Sequence, residues 1–250
     1  MTPTERYAAE VTALLARIVK EESDNIRKAA GMLADVIARD RLIFPFGTGG
    51  HSLMGSEEMA RRAGGLASVY PIIDPGISVM FGPVRASALE RTVGYARSVL
   101  STYPITSQDV LIIINAYGIN ACSIDTAMWA RERKVPTIAI TSPSFSRAMP
   151  KDLVARHPSG HNLFELVDLV IDNKMPPGDA VLKFEGLKAP VSPVTTILNA
   201  FVIEALTGET VNLLLQRGIT PPVWTSSNVP GGDEANKEHM ARFAPRIRWL

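Results

Sequence analysis

The chain has 250 residues, 46% of them hydrophobic, enough for one substantial core, and one compact α/β unit is favoured over two. Lys plus Arg number 26 against 25 Asp plus Glu, and a net charge of +1 without a basic stripe argues against a nucleic-acid partner. The single cysteine, Cys122, excludes an internal disulfide framework and a Cys-clustered zinc site, while the absence of a signal-like start or membrane-length apolar run points to a cytoplasmic protein without membrane contact.

From Thr4 to Asp40 apolar residues recur at helical spacing (Val11, Leu14, Ile18, Ile26, Leu33, Ile37), predicting two helices, or one long bent helix, with a break near Ser23 and Asp24. Residues 1–40 thus form an N-terminal helical extension to a single domain spanning 1–250. Arg41 to Phe46 reads as a strand, Gly47 to Ser52 as a glycine turn and Leu53 to Arg62 as a helix. Val69 to Ile73, ended by Asp74-Pro75-Gly76, reads as a shorter strand. Asp109 to Ile114 is almost purely aliphatic, as a strand buried on both faces should be, and is followed by Asn115 to Gly118 and a helix from Ile119 to Arg133. Pro136 to Ile140 is a further strand, closed by the hydroxyl-rich loop Thr141 to Ser146, and Leu169 to Ile171 another, closed by Asp172 and Asn173.

Strands alternating with helices imply right-handed crossovers and a three-layer α/β sandwich with five parallel strands. Between Lys174 and Pro193, Pro and Gly become frequent and a short hairpin-like excursion is expected around 178–185. Thr195 to Arg217 is an apolar helix suited to deep core or a subunit contact. The 221–250 segment is a loop followed by a last helix, Glu234 to Phe243, with Asp233 as its cap.

In an open parallel sheet, ligands bind beyond the carboxyl ends of the strands. Gly47, Gly49 and Gly50 sit at such an end and open a helix, so free N–H groups and the helix dipole favour an anion there; a tight turn that glycine merely permits is the plainer alternative. The loop lacks the third glycine of a dinucleotide fingerprint and the Lys-Ser/Thr of a P-loop, so no nucleotide cofactor is expected.

The succession Gly47-Thr48-Gly49-Gly50-His51-Ser52, Glu57-Glu58, Arg62-Ala63-Gly64-Gly65, Asn115 to Asn120, Arg156 to Gly160, Gly178-Asp179-Ala180 and Ser227 to Lys237 resembles a branch of short sugar isomerase (SIS) domain proteins related to phosphoheptose isomerases. The resemblance spans nearly the whole chain. It implies a flavodoxin-like, five-stranded parallel sheet, a homodimer or homotetramer with sites near subunit contacts, and a sugar phosphate held by Ser/Thr-rich loops. Carried onto this chain, those loops offer Thr48, Ser52, Asn115, Tyr117, Gly118, Asn120, Thr141, Ser142 and Ser144 as binding residues. One departure matters: Ala116 and Tyr117 stand where hydroxyl side chains are usual, which leaves a non-phosphorylated or differently anionic sugar open as the ligand beside a sugar phosphate.

Aldose–ketose interconversion through an enediol needs a base between adjacent carbons and a second group moving a proton between the oxygens. Glu57 or Glu58 can supply the carboxylate, spacing alone leaving both open and equally compatible with a solvated pair. His51, inside the glycine loop, and His157, in a Pro/Gly/Ser loop, are the candidate imidazoles, while His161 and His239 read as surface residues. No His-Glu-x-x-His run stands on a predicted helix, so no metal is expected. Asn228 and Asp233 flank Gly231 and Gly232 in a loop able to bring polar groups to a pocket lip. The expected activity is a cofactor-independent sugar or sugar-phosphate isomerase; a non-catalytic sugar-phosphate sensor and a lyase or etherase on the same scaffold are the alternatives.

Overall fold

The computed structural model describes residues 1–248 and 250. Its first element is a continuous 36-residue helix, α1 (Pro3–Ala38), begun by a capping box between Thr2 and Glu5. No break occurs at Ser23, because Leu14, Ile18, Ile26, Leu33 and Ile37 form one unbroken buried stripe. The sheet consists of four parallel strands in spatial order β1 (Ile43–Gly47), β2 (Val110–Ile114), β3 (Thr137–Thr141) and β4 (Leu169–Asp172).

The fifth expected strand, 69–73, is corrected to two isolated parallel bridges against β1, Ile43 to Val69 and Phe46 to Ile72. The cause is chemical. Ile43 N–H bonds Ser68 O, and the N–H groups of Tyr70 and Ile72 bond Ile43 O and Pro45 O. The next ladder donor is position 45, and Pro45 has no N–H. One step further, Gly47 N–H turns away to the Ser56 hydroxyl at 2.7 Å.

Helices cover both faces. Alternate strand residues Ile112, Ile114, Ile138 and Ile140 pack with α1 and α7 (Thr195–Gln216) on one side, whereas Phe44, Leu111, Ile113 and Ala139 pack with α4 (Tyr95–Leu100) and α5 (Ala121–Glu132) on the other. By length and apolarity α7 could cross a membrane. Here it packs along α1 through Leu198, Val202, Leu206 and Leu214 as a core helix. The expected excursion after β4 is an antiparallel pair, β5 (Ala180–Leu182) and β6 (Val191–Pro193). The tail carries two short helices, α8 (Gly232–Ala235) and α9 (Lys237–Phe243). Gly231, at φ 78°, takes the cap position, so Asp233 lies in the first turn and is not the cap.

The connections fix where a ligand can sit. After β1 the chain enters α2 (Leu53–Glu58), whose Gly55 lies against Ile114 and Ile203 on the α1/α7 face. It then runs along the outer edge of β1 and returns through α3 (Pro83–Glu90) and α4 to β2. From β2 it leaves into α5 on the opposite face. Neighbouring strands whose loops depart to opposite faces leave a crevice at their carboxyl ends, the switch point of a doubly wound sheet.

Candidate functional site

The loop after β1 is folded by its neighbours. Thr48 is fully buried, its Oγ1 2.6 Å from Ser123 Oγ, and so faces the interior. A Cβ on Gly49 would lie 2.8 Å from Glu90 Oε2 and 3.1 Å from Asn115 Nδ2. Only glycine lets the last residue of α3 lay its carboxylate on this loop. Burial raises the Glu90 pKa, partly offset by the Gly50 N–H and the charges of Arg91 and His51.

The loop after β2 is organised by Asn115. Its Oδ1 accepts the N–H groups of Tyr117 (3.1 Å) and Gly118 (3.0 Å), and its Nδ2 donates to Thr48 O at 3.3 Å, joining the two loops. The Tyr117 ring stands edge-on to Phe145 at 4.8 Å, and its phenol pKa is raised by burial and then by the charges of Asp179 and Glu90. Asn120 precedes α5 and donates to Ala155 O at 3.1 Å.

A third wall comes from the segment before β5. Asp179, at φ 67°, caps α7 from outside: its Oδ1 accepts Val194 N–H (3.0 Å), Thr195 N–H (2.8 Å) and the Thr195 hydroxyl (2.5 Å). Between these walls lies a cavity of about 390 Å³ into which His51, Ser52, Glu90, Asn115 and Asp179 converge. Gly49, Gly50, Tyr117 and Asn120 complete the side toward the sheet. An adjoining recess of about 290 Å³ shares His51 and is lined by Glu57, Glu58 and Asn199. Glu57 is exposed there, whereas Glu58 is held by Arg62 at 3.1 Å and faces Glu204.

The structure therefore gathers seven of the expected residues, Gly49, Gly50, His51, Ser52, Asn115, Tyr117 and Asn120, around one cavity, with Glu57 and Glu58 next door. Others stand apart. His157 is buried, its Nδ1 accepting Ser159 N–H at 3.1 Å while Nε2 faces Asp125 Oδ1 at 3.5 Å, and it braces a loop against α5 without lining the cavity. Thr141 and Ser142 are fully buried beneath the β2 loop, Ser142 Oγ donating to Met175 O at 3.0 Å, and Ser144 is exposed on α6 (Pro143–Ala148). Gly47 and Gly118 shape turns beneath the lining. Asn228 and Asp233 are exposed in the tail, whose Trp224 and Phe243 pack with the cluster around Phe44.

Glu90, Asp179 and Thr195 also line the cavity, and sequence reasoning did not place them there. Gly82-Pro83 announces a helix start that would have placed α3 and its terminal Glu90. Nothing local marks Glu90 as returning to the first loop. Among the described residues, no group of three His, Cys, Asp or Glu side chains could hold a metal ion.

Comparison with known proteins agrees with this architecture. Residues 6–142 match the SIS domain model. A UPF0309 protein of Geobacillus thermodenitrificans is 36% identical over 243 residues, covering 97% of this chain and 96% of the relative. A UPF0309 protein of Brucella anthropi is also 36% identical over 243 residues, with 97% of each chain covered. Among solved structures, phosphoheptose isomerase GmhA from Neisseria gonorrhoeae superposes with a TM-score of 0.53 at 17% identity, over 85% of this chain and 98% of that one. Phosphoheptose isomerase from Francisella tularensis gives 0.51 at 13% identity, over 85% and 100%. At such identities the likeness is one of fold. The loops that suggested a sugar-isomerase scaffold and the matches over the whole chain agree: the protein belongs to the SIS-domain family and, within it, to the UPF0309 proteins.

Proposed function

We propose that the protein is a cofactor-independent aldose–ketose isomerase of the cytoplasm, working as a homo-oligomer, with Glu90 as the carbon base and His51 as the group that moves the proton between the two oxygens. The observation that carries this reading is the convergence of the Glu90 carboxylate and the His51 imidazole on one cavity at the strand switch point. An enediol reaction needs a carboxylate basic enough to take a proton from carbon beside a carbonyl, and burial makes Glu90 more basic than a solvated glutamate. Glu90, not Glu57 or Glu58, is assigned the base because it lines the larger cavity, whereas Glu58 is paired with Arg62 and Glu57 is exposed in the recess. Asn115 and Asp179 orient the sugar hydroxyls.

Solvent-deuterium exchange followed by NMR tests this with five- to seven-carbon aldoses and ketoses, free and phosphorylated. Deuterium should enter at C1 or C2 of at least one sugar. Glu90→Gln should lower exchange by about 100-fold or more and His51→Ala by a smaller factor, with Glu57→Gln within a few-fold of wild type. Binding without exchange in the wild type sinks the isomerase reading and leaves a sensor.

A further inference from the structure

Several of the anion-attracting positions around the cavity are filled by the chain's own oxygens. At the first loop the Glu90 carboxylate lies against Gly49 and faces the Gly50 N–H. At the second loop the N–H groups of Tyr117 and Gly118, which could otherwise cradle an anion, both go to Asn115 Oδ1. At the start of α7 the N–H groups of Val194 and Thr195 go to the Asp179 carboxylate. The first turn of α5 is sealed, with Ala121, Cys122 and Ser123 exposed by 1%, 0% and 0%. Two hydroxyls of the third strand-end loop are also engaged, Ser142 with Met175 O and Ser146 with Tyr117 O at 2.8 Å.

Charge points the same way. Glu90 and Asp179 are the charged side chains lining the cavity, and among its described lining residues there is no Lys or Arg. A phosphate dianion placed between two carboxylates would meet repulsion without a compensating cation. A polyol suits the same walls, because each of its hydroxyls can donate to a carboxylate or amide oxygen.

We infer that this cavity takes a sugar without phosphate, held by its hydroxyl hydrogens on Glu90, Asp179 and neighbouring amides. The inference rests on the cavity being the sugar site of the proposed isomerase, and it names the substrate class. The Tyr117 phenol stands beside the same two carboxylates, its pKa raised first by desolvation and then by the charges of Asp179 and Glu90.

Calorimetric titration of the whole protein tests it, using free aldoses and ketoses of five to seven carbons, each beside its terminal phosphate ester, and inorganic phosphate. At least one free sugar should bind at least tenfold more tightly than its ester, with no competition from inorganic phosphate. Asp179→Asn and, separately, Glu90→Gln should each narrow that ratio severalfold by removing one negative charge; having two variants guards against misfolding of one. An ester that binds as tightly as its free sugar or more so, displacement by inorganic phosphate, or no binding of any free sugar overturns the inference. Deuterium exchange confined to the esters would overturn it and keep the isomerase reading. Tight binding of a free sugar without exchange would keep the inference and remove the isomerase reading.

Discussion

Glu90 joins an architectural role to the proposed chemistry. Its carboxylate closes the first loop against Gly49 while facing a cavity, and the burial that makes it basic also commits it to that place. Gly118 has a purely architectural counterpart role. At φ 61° it turns the chain out of β2, and a Cβ there would lie 2.6 Å from Thr141 Oγ1. Gly118→Ala should therefore lower stability by about 1–3 kcal/mol through left-handed strain and the contact with Thr141, read as a reduced urea midpoint at unchanged slope. An unchanged midpoint would mean the turn relaxes freely. At this scale the sequence was legible where glycines and amides cluster beside a strand end, since His51, Asn115 and Asn120 all reach the cavity. It was illegible for His157, because a loop histidine looks the same whether it faces a ligand or, as here, Asp125 and a serine amide.

Between elements, two charged clusters tie helices to their neighbours. Lys174, at φ 56° just beyond β4, places its ammonium 2.6 Å from Glu22 and 3.0 Å from Glu21 of α1 and 3.1 Å from Asp172. Burial works to lower its pKa, but the hydrogen bonds to Glu22 and Glu21 and the Asp172 charge together raise it. Lys174→Met strands the buried Glu22 carboxylate and should destabilise by about 3–5 kcal/mol; adding Glu22→Gln should restore part of that loss. A double variant no better than the single one would show that the lysine acts through packing alone.

The second cluster joins α2 to α7. Glu204 has its pKa raised from an ordinary 4.5 by burial and by the charge and hydrogen bond of Glu58, against a smaller lowering by Arg62. A folded-state carboxyl pKa above the unfolded one means the folded protein holds the proton more tightly, so this contribution is present at low pH and is lost as pH rises above 4.5 through the folded pKa. Glu204→Gln, which keeps a donor toward Glu58, should gain stability over wild type as pH rises across that window. The gain should stay below about 1 kcal/mol because the side chain is half exposed. Melting temperatures of both proteins between pH 4.5 and 8 decide it, and parallel curves would exclude the shared proton.

Helical periodicity made α1, α5 and α7 readable, and aliphatic runs did the same for β2 and β3. The segment 69–73 shows the limit: its composition is that of a strand, yet pairing depends on a donor supplied by its neighbour, and Pro45 has none. The short α3 and α4 lack a periodic apolar stripe long enough to announce them, and Glu90 went unseen with them.

At the scale of the molecule, the alternation of strands and helices was enough to foresee layers, but the position of the cavity depends on the order in which those strands neighbour one another. That order sends the β1 and β2 loops to opposite faces and opens the crevice between them. One rim of the crevice is unusual for a free surface. Met80, Phe81 and Val84 are exposed by 84%, 60% and 85% in consecutive turns beside Val79 and Pro83, which line the cavity. On α7, Ile197 and Leu215 are also exposed, by 39% and 60%. Apolar side chains clustered at a cavity rim mark an association surface more often than a solvated one, and a second copy of the chain covering the rim would also shield the proposed enediol chemistry from water. Sedimentation equilibrium at micromolar concentration should therefore give a mass at least twice the 27.1 kDa of one chain. Val84→Glu should shift it toward one chain and weaken sugar binding in parallel, because the rim and the cavity share α3. A wild-type mass of 27.1 kDa would remove association from the account, whereas an assembly untouched by Val84→Glu would move the contact away from this rim and toward the exposed side of α7.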